Sequence, residues 1–567
     1  MQTDTLTSTR AQSRAASRPA YETHAGLHVL RLSGDDYEMG YQHGRLLGEA
    51  VHRGPIPYFE RYVESMLGAG LGPRAGRLIG AALRHTVGRK IARGFPAHVR
   101  AALDGLADGS GIDRRRLLGA VTMPETYLWV LGRVLAVRRP RLAPRSGVPL
   151  LGCTSALAWG DATRDGRLLH GRNFDYQGVG AWDTEQAVVF HRPKDGQPYV
   201  SVSSAGVLFG GFTAMNASGL SLVVHQHMAS DALEIGGVPI GVAGDEIMRH
   251  AKTLDDARRI LDRDVPNGCW TYLIASGREQ AVLCYETTPK ARAHRIASDG
   301  GIFAYANVFL DRELGRTERH LYPSHWRNNL SRLSRADALL SAQKGRIDGD
   351  VIAGILGDPG ADGCRFESAI SMLLTVGSVV FRPEDGLVWV ATERAPVSNR
   401  DYVAFELASE GPREDLPPLT GGRQRDAAAV LAFDAYREAY SAYFDRGDVS
   451  EARRQLVRAI EAKPNEALYH FVAALLALLA GDAALAESEL DRALAIGHAS
   501  GARRASFHLW RGRARDVSGK RSQAVADYRA ARDGDEYVRA AADKGVSRAW
   551  KQRRFGVEFA LADAPLP

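Results

Sequence analysis

The sequence predicts an α+β fold: two stacked, mostly antiparallel sheets covered by helices, followed by an all-α repeat domain. Three observations predict it. Residues 153–407 carry a series of short strand-like runs with helical text grouped between them. Residues 27–152 read as mostly helical, and everything beyond residue 425 is helical with a recurring period. At 567 residues the chain is too long for one ordinary domain. Its 45% hydrophobic and 25% charged residues are those of a globular protein with an ample core.

Taken in order, residues 1–26 are rich in Ser, Thr, Arg and Ala and lack an apolar h-region, so a disordered tail is expected rather than a secretion signal. In residues 27–152, "DDYEMGYQHGRLLGEAVHRGPIPYFERYVESM" has acids near its start and apolar residues at helical spacing. "FPAHVRAALDGLADGSGIDRRRLLGAVTM" reads as helix, Gly-rich stop, helix. "YLWVLGRVLAVRR", from Tyr127, is broken by Arg133 and reads as a buried or interfacial helix, so no membrane span is expected. In residues 153–407, "TSALAWGDATRDGRLLHGRNFDY" reads as strand, turn at Asp165-Gly166, strand. "QAVVFHRP", "YVSVSSAG", "GLSLVVHQH", "TYLIAS", "AVLCYET" and "GLVWVAT" continue the series, interrupted by the helical "VAGDEIMRHAKTLDDARRILDR" and "RLSRADALLSAQ".

Residues 408–424, dense in Pro, Gly and charge, are expected to be a linker. Residues 425–545 then repeat. Gly447 and Gly481 are 34 apart, as are Ala452 and Ala486, and Ala459 and Ala493. Gly519, Ala524 and Ala531 give a third copy after a four-residue insertion. A 34-residue period of small residues, with Pro464 closing a copy, predicts tetratricopeptide-like helix pairs. Residues 546–567 are expected to be a C-terminal tail.

The net charge of +7 is small for this length and its acids and bases are interspersed, which argues against a nucleic-acid surface. The four cysteines, Cys153, Cys269, Cys284 and Cys364, are scattered and form no C-x-x-C pair. That argues against a disulfide framework and a structural zinc site, and a cytoplasmic location fits. His225 and His227 alternate on a strand and share a face. No third ligand pattern accompanies them, so no metal is expected and a pocket-lining role is read for His225. Cys269, Cys284 and Cys364 read as packing residues.

Cys153 stands between Gly152 and Thr154, shortly before "GRNFDY". An internal thiol, with a pKa of about 8.5, needs a base and a means of holding an oxyanion. If the peptide bond before it is cut, the cysteine gains an α-amine of pKa about 7.7–8.0 that takes the thiol proton. Gly152 suits such a cut because it adds no side chain to a strained turn. Arg172 and Asp175 flank Asn173, and charged residues in strand-like text are costly to bury without partners.

"GCTSALAWGDATRDGRLLHGRNFDY" resembles the start of the mature chain in the acyl-coenzyme A:6-aminopenicillanic acid acyltransferase family, peptidase C45-type N-terminal nucleophile (Ntn) hydrolases. The family pattern is Gly-Cys-Thr, a hairpin, then G-x-N-x-D, here Gly152, Cys153, Thr154, Gly171, Asn173 and Asp175. The resemblance continues through "VLRLSGDDYEMGYQHGRLLG", "GGFTAMNASGLSLVVHQH", "IFAYANVF", "SRLSRADALL" and "TVGSVVFRPEDGLVWVATERAP", covering about residues 27–407. It implies an αββα Ntn sandwich whose pro-region (27–152) is cut from a catalytic β-chain at Gly152–Cys153. It implies Cys153 as nucleophile, Asp175 as the group orienting the new amine, Asn307 as oxyanion donor and Arg332 as support for the thiol. Arg172 matches the choloylglycine branch, and Asn173 lies in the same motif. Gln226 stands where some relatives carry a second oxyanion asparagine. The implied reaction is hydrolysis of a linear amide through a thioester, with acyl transfer to an amine as the alternative and no cofactor. The expected substrate is an acylated small molecule, peptide or carrier-bound group, with a protein partner at the repeat.

Two readings compete. The chain is an interaction protein with a degenerate catalytic domain, or it is a thiol hydrolase that pairs Cys153 with His225 or His227 and needs no cleavage.

Overall fold

The computed structural model describes residues 20–67, 72–137, 152–227, 234–235, 237–319, 323–360, 368–552 and 555–559. Sixteen strands are named in chain order: β1 Tyr21–His24, β2 Leu27–Gly34, β3 Gly152–Gly160, β4 Gly166–Asp175, β5 Gln186–Pro193, β6 Tyr199–Ser204, β7 Thr213–Asn216, β8 Leu220–Gln226, β9 Trp270–Ser276, β10 Ala281–Thr287, β11 Arg292–Ala297, β12 Ile302–Tyr305, β13 Thr375–Arg382, β14 Leu387–Ala391, β15 Tyr402–Glu406 and β16 Gly411–Pro412. They form a nine-stranded sheet, β1-β2-β5-β6-β7-β8-β9-β10-β11, and a seven-stranded sheet, β12-β3-β4-β13-β14-β15-β16. All pairs are antiparallel except β2 with β5.

The sheets stack through apolar residues at alternate strand positions, among them Leu157, Trp159, Val188, Phe190, Leu273 and Phe381. The opposite face of the seven-stranded sheet is covered by helices Pro323–Gln343 and Gly349–Leu356, whose Ala336, Leu340, Ile352 and Leu356 pack on Ala156, Ala158 and Val380. The outer face of the nine-stranded sheet is covered by helices such as Asp36–Leu47 and Ala97–Ser110 and, further along, Ile240–His250 and Leu254–Arg263. The fold is therefore α+β, an αββα sandwich followed by a helical region.

Sequence patterns account for the boundaries. Asp35 caps the first long helix through a capping box with Glu38. The run expected as one helix over 242–263 splits because Thr253 caps a second helix with Asp256.

Three expectations need correction. The chain start is not tail up to residue 26, and residues 27–34 are not helical: β1 and β2 are strands, and β2 is buried on both faces, Leu27 and Val29 between the sheets and Leu30 and Leu32 under the covering helices. Residues 408–424 do not hang free. β16 pairs with β15, and Leu419 bridges to Tyr402, laying the segment along the seven-stranded sheet. The C-terminal tail is partly core: Val557 and Phe559 are fully buried, and Glu558 accepts from Trp510 Nε1 (2.9 Å) and Ser506 Oγ (2.8 Å).

The helical region runs as pairs, Ala427–Phe444 with Val449–Ala462, Ala467–Leu479 with Ala483–Ile496, and Gly501–Val517 with Arg521–Ala530. Gly447, Gly481 and Gly519 all take positive φ (66°, 85° and 73°) at the turn inside a pair, a conformation that favours glycine. The alanines in phase with them, Ala452, Ala486 and Ala524, are fully buried. The first of these helices docks on the sandwich. Tyr440 donates to Gln177 Oε1 (2.6 Å), Arg437 to Ala395 O (2.9 Å), and Phe444 packs 5.6 Å from Tyr62. No helix among the described residues is long and apolar enough to cross a membrane.

Candidate active site

β3 and β4 pair so that Gly152 lies opposite Asp175, Cys153 opposite Phe174, Thr154 opposite Asn173 and Ser155 opposite Arg172. Directly opposed residues share a face and successive residues alternate. Cys153, Ser155, Arg172 and Phe174 therefore face the other sheet. Thr154, Asn173 and Asp175 face the covering helices. This alternation decides which predicted residues reach the thiol.

On the thiol face, Arg172 Nη2 lies 3.5 Å from Cys153 Sγ. Its Nη1 donates to Thr213 Oγ1, its Nη2 also approaches Val224 O (3.4 Å), and the guanidinium sits 4.6 Å over the Phe174 ring. Nε has no partner among the described residues. Burial pushes the thiol pKa up and the Arg172 charge pulls it back; the Asp175 charge raises it further, while the Asp175 backbone amide and Arg332 lower it.

On the helix face, Arg332 is completely buried and its guanidinium is fully committed. Nη1 donates to Cys153 O (2.7 Å) and Thr154 Oγ1 (2.9 Å), and Nε to Asn328 Oδ1 (2.9 Å). Nη2 donates to Asn329 Oδ1 (2.6 Å) and Asn307 Oδ1 (3.2 Å). A Cβ on residue 152 would stand 2.9 Å from Arg332 Nη2. Gly152 is thus required by the close approach of this arginine within a strand, which replaces the strained turn expected from sequence.

Asn307, just past β12, accepts from the Cys153 main-chain N–H through Oδ1 (2.7 Å) and donates to Gln226 O through Nδ2 (2.7 Å). Its second amide hydrogen remains for another acceptor. Its loop is fixed by Glu286, which accepts from Tyr305 Oη (2.9 Å), Leu310 N (2.6 Å) and Asp311 N (2.7 Å). Asp175 accepts from Thr375 Oγ1 (2.5 Å), while its Oδ2 has no partner among the described residues. Burial raises its carboxyl to about 6, against the pull of Arg332, Thr375 and Arg172.

Cys153, Arg172, Gln226, Asn307 and Gly152 open on one cavity of about 160 Å³. Its walls are apolar and aromatic, including Phe59, Phe174, Trp182, Phe209 and Trp270. Gln226 is buried, and neither polar atom of its side chain has a partner among the described residues. The amide is therefore available to a ligand there.

Other predicted residues are not brought to the thiol. Asn173 spends both amide hydrogens on Leu356 O (2.8 Å) and Ile370 O (3.1 Å) and accepts from Ser378 Oγ (2.6 Å). It ties β4 to its covering elements and has no donor left for chemistry, so its placement among catalytic residues is corrected. His225 does not line the cavity. It is buried between the sheets against Ser155 Oγ (2.9 Å), and burial holds it far below the usual histidine range. His227 is bound to Glu318 (2.8 Å) and Thr271 (2.8 Å). The thiol's charged neighbour is thus an arginine, which removes the basis for a Cys-His pair. Cys269 and Cys284 are buried, and Cys364 lies outside the described residues.

Sequence reasoning missed Asn328, Asn329, Thr213, Thr375, Glu286 and Glu125. Asn328 and Asn329 stand four and three residues before Arg332, the spacing that places side chains together on a helix. Glu125 is a lone acid in apolar helical text, and it lines the cavity.

Residues 162–394 match the model of the family described as acyl-coenzyme A:6-aminopenicillanic acid acyl-transferase. The matched stretch starts just after Cys153 and contains Arg172, Asp175, Gln226, Asn307, Arg332 and Thr375. A stretch of 269 residues is 27% identical to an uncharacterized protein of Archaeoglobus fulgidus, covering 45% of this chain and 42% of that protein. The chain thus spans less than half the length of this relative. The family match supports an acyltransferase or hydrolase of the Ntn type in general terms.

Proposed function

We propose that the chain is an autoproteolytically activated N-terminal-cysteine amidohydrolase that cleaves a linear amide through a thioester on Cys153. One observation carries this reading. The Cys153 main-chain nitrogen, which would become the α-amine after cleavage, is held by Asn307, and the thiol of the same residue lies against Arg172 in the cavity wall.

In the first stage the Cys153 thiol attacks the Gly152 carbonyl, the C–N bond breaks and an ester-like thioester forms. Water hydrolyses it, leaving the Gly152 carboxylate and a free α-amine on Cys153. Asp175, across from Gly152, is the carboxylate that orients this amine. In the second stage the α-amine accepts the thiol proton and the thiolate attacks the substrate carbonyl. The free Asn307 amide hydrogen and the Gln226 amide stabilise the oxyanion. The α-amine returns the proton to the leaving amine, and water releases the acyl group. Arg332 is a positioning residue: it locks the Cys153 carbonyl and Asn307 in place. Pro55, Ile56, Phe59 and Glu125 lie upstream of the cut and line the cavity with residues downstream of it, so both fragments form the substrate site.

Incubation with 3-phenylpropanoyl p-nitroanilide tests the chemistry. Release of p-nitroaniline with an acyl adduct on the Cys153-containing peptide is expected, and hydroxylamine should capture the same acyl group. Turnover that persists in Cys153→Ala contradicts the assignment.

A further inference from the structure

Among the described residues the buried carboxylates around the cavity have a side-chain partner, Asp175 through Thr375 Oγ1, whereas Glu125 has none. Glu185 accepts from Arg53 (2.8 Å) and lies 3.0 Å from His28. Asp183 pairs with Arg394 (3.0 Å), and Asp245 with Arg249 (2.7 Å) and Tyr199 (2.5 Å). Glu318 faces His227, and Glu286 holds a tyrosine and two backbone amides. Glu125 is as buried as these, yet among the described residues no cation and no side-chain donor reaches it. Its external partner is the backbone N–H of Ile240, the first residue of helix Ile240–His250. A helix N-terminus supports an anion there but supplies no counter-charge. Burial raises the Glu125 carboxyl to about 7.

Glu125 lines the same cavity as Cys153. Tyr176 lies within electrostatic reach of both groups and stacks on Phe174 (5.2 Å), the residue opposite Cys153. The other polar linings, Arg172, Ser203, Thr213, Gln226 and Asn307, share the cavity with walls that are otherwise apolar. A carboxyl without a counter-ion, facing an aromatic cavity, costs stability in the empty protein. A ligand that carries the missing positive charge offsets that cost.

Building on the thiol reading above, we infer that Glu125 is the specificity-determining residue of the cavity and that the acyl group it takes is aromatic or branched apolar with a protonated primary amine at its far end. The aromatic wall accommodates the body of such a group, and the carboxylate receives its ammonium.

Matched p-nitroanilides test this: 3-phenylpropanoyl, its 4-aminomethyl derivative and its 4-hydroxymethyl derivative. The aminomethyl compound should exceed the other two about tenfold or more in kcat/KM, and Glu125→Gln should bring the three ratios together. Equal ratios in the wild type, or an unchanged aminomethyl preference in Glu125→Gln, overturn the inference. A second arm needs no turnover. Tryptophan fluorescence of Cys153→Ala, reporting on Trp182 and Trp270, should show the 4-aminomethyl carboxamide binding at least tenfold tighter than the unsubstituted one. Selective binding without turnover by the wild type would retain this inference and reject the enzymatic reading. Turnover without amine preference would do the reverse. Folding of Glu125→Gln is checked by its thermal melt, and the wild-type comparison stands without that variant.

Discussion

On the helix-covered face of β3, every nitrogen of the Arg332 guanidinium has a fixed partner, two of them the Cys153 carbonyl and Asn307. On the opposite face, Arg172 Nε has no partner among the described residues, and the guanidinium reaches the thiol only at 3.5 Å. Both arginines are buried, and burial works against the charge of each. The difference teaches what each is suited to do. A saturated guanidinium defines geometry, because no donor can leave without stranding a buried acceptor. An unsaturated one has capacity left for charge that appears during reaction, such as a thiolate or a bound anion.

The comparison breaks first at Arg332. Arg332→Met should block maturation and cost about 3–5 kcal/mol, since it strands several buried acceptors around Cys153; urea unfolding and electrophoresis measure both. Arg332→Lys should not restore maturation, because one ammonium cannot span the same acceptors. Arg172→Lys sharpens the contrast. It should leave stability within about 1–2 kcal/mol but slow maturation and turnover roughly tenfold or more, read by single-turnover kinetics.

Asp175 supplies the pH dependence. Its folded pKa of about 6 lies above its unfolded value of about 3.9. Its contribution to stability is thus present below pH about 4 and lost as pH rises through about 6, by about 3 kcal/mol at most. Under the proposed mechanism turnover by the mature enzyme runs the other way, because the carboxylate form is the one that would orient the amine: its rate should fall as pH drops below about 6. In Asp175→Asn both trends should vanish, with turnover slow throughout, as followed by p-nitroaniline release and urea midpoints between pH 4 and 7.5. The smallest effect on chemistry belongs to Asn173→Ala. It should lose about 1–3 kcal/mol of stability by stranding Leu356 O and Ile370 O, yet still mature.

Much of the fold was legible because strand alternation and the 34-residue period are local signals. β3, β4, β5 and β10 lie where their apolar runs stand in the sequence, and the repeat glycines mark turns with positive φ. β2 was not legible as a sheet member because its partner β5 lies more than 150 residues away, and β1 joins the sheet only through its hairpin with β2. The face assignment of "GRNFD" was open to reading by period 2 from Cys153 and the hairpin register, and it separates Arg172 from Asn173. Glu125 could not be placed from sequence. Its place depends on a cavity that many segments distant in the chain close together.

The central claim is that the Gly152–Cys153 bond is the first substrate. Intact mass with end sequencing of the purified chain tests it most directly. Two fragments of roughly 16 and 45 kDa, scaled by length, are expected, and they should remain associated under native conditions. The larger should begin at Cys153, and Cys153→Ala should stay whole. A single uncut wild-type chain that turns over substrate, or a Cys153→Ala chain that still matures, would contradict it.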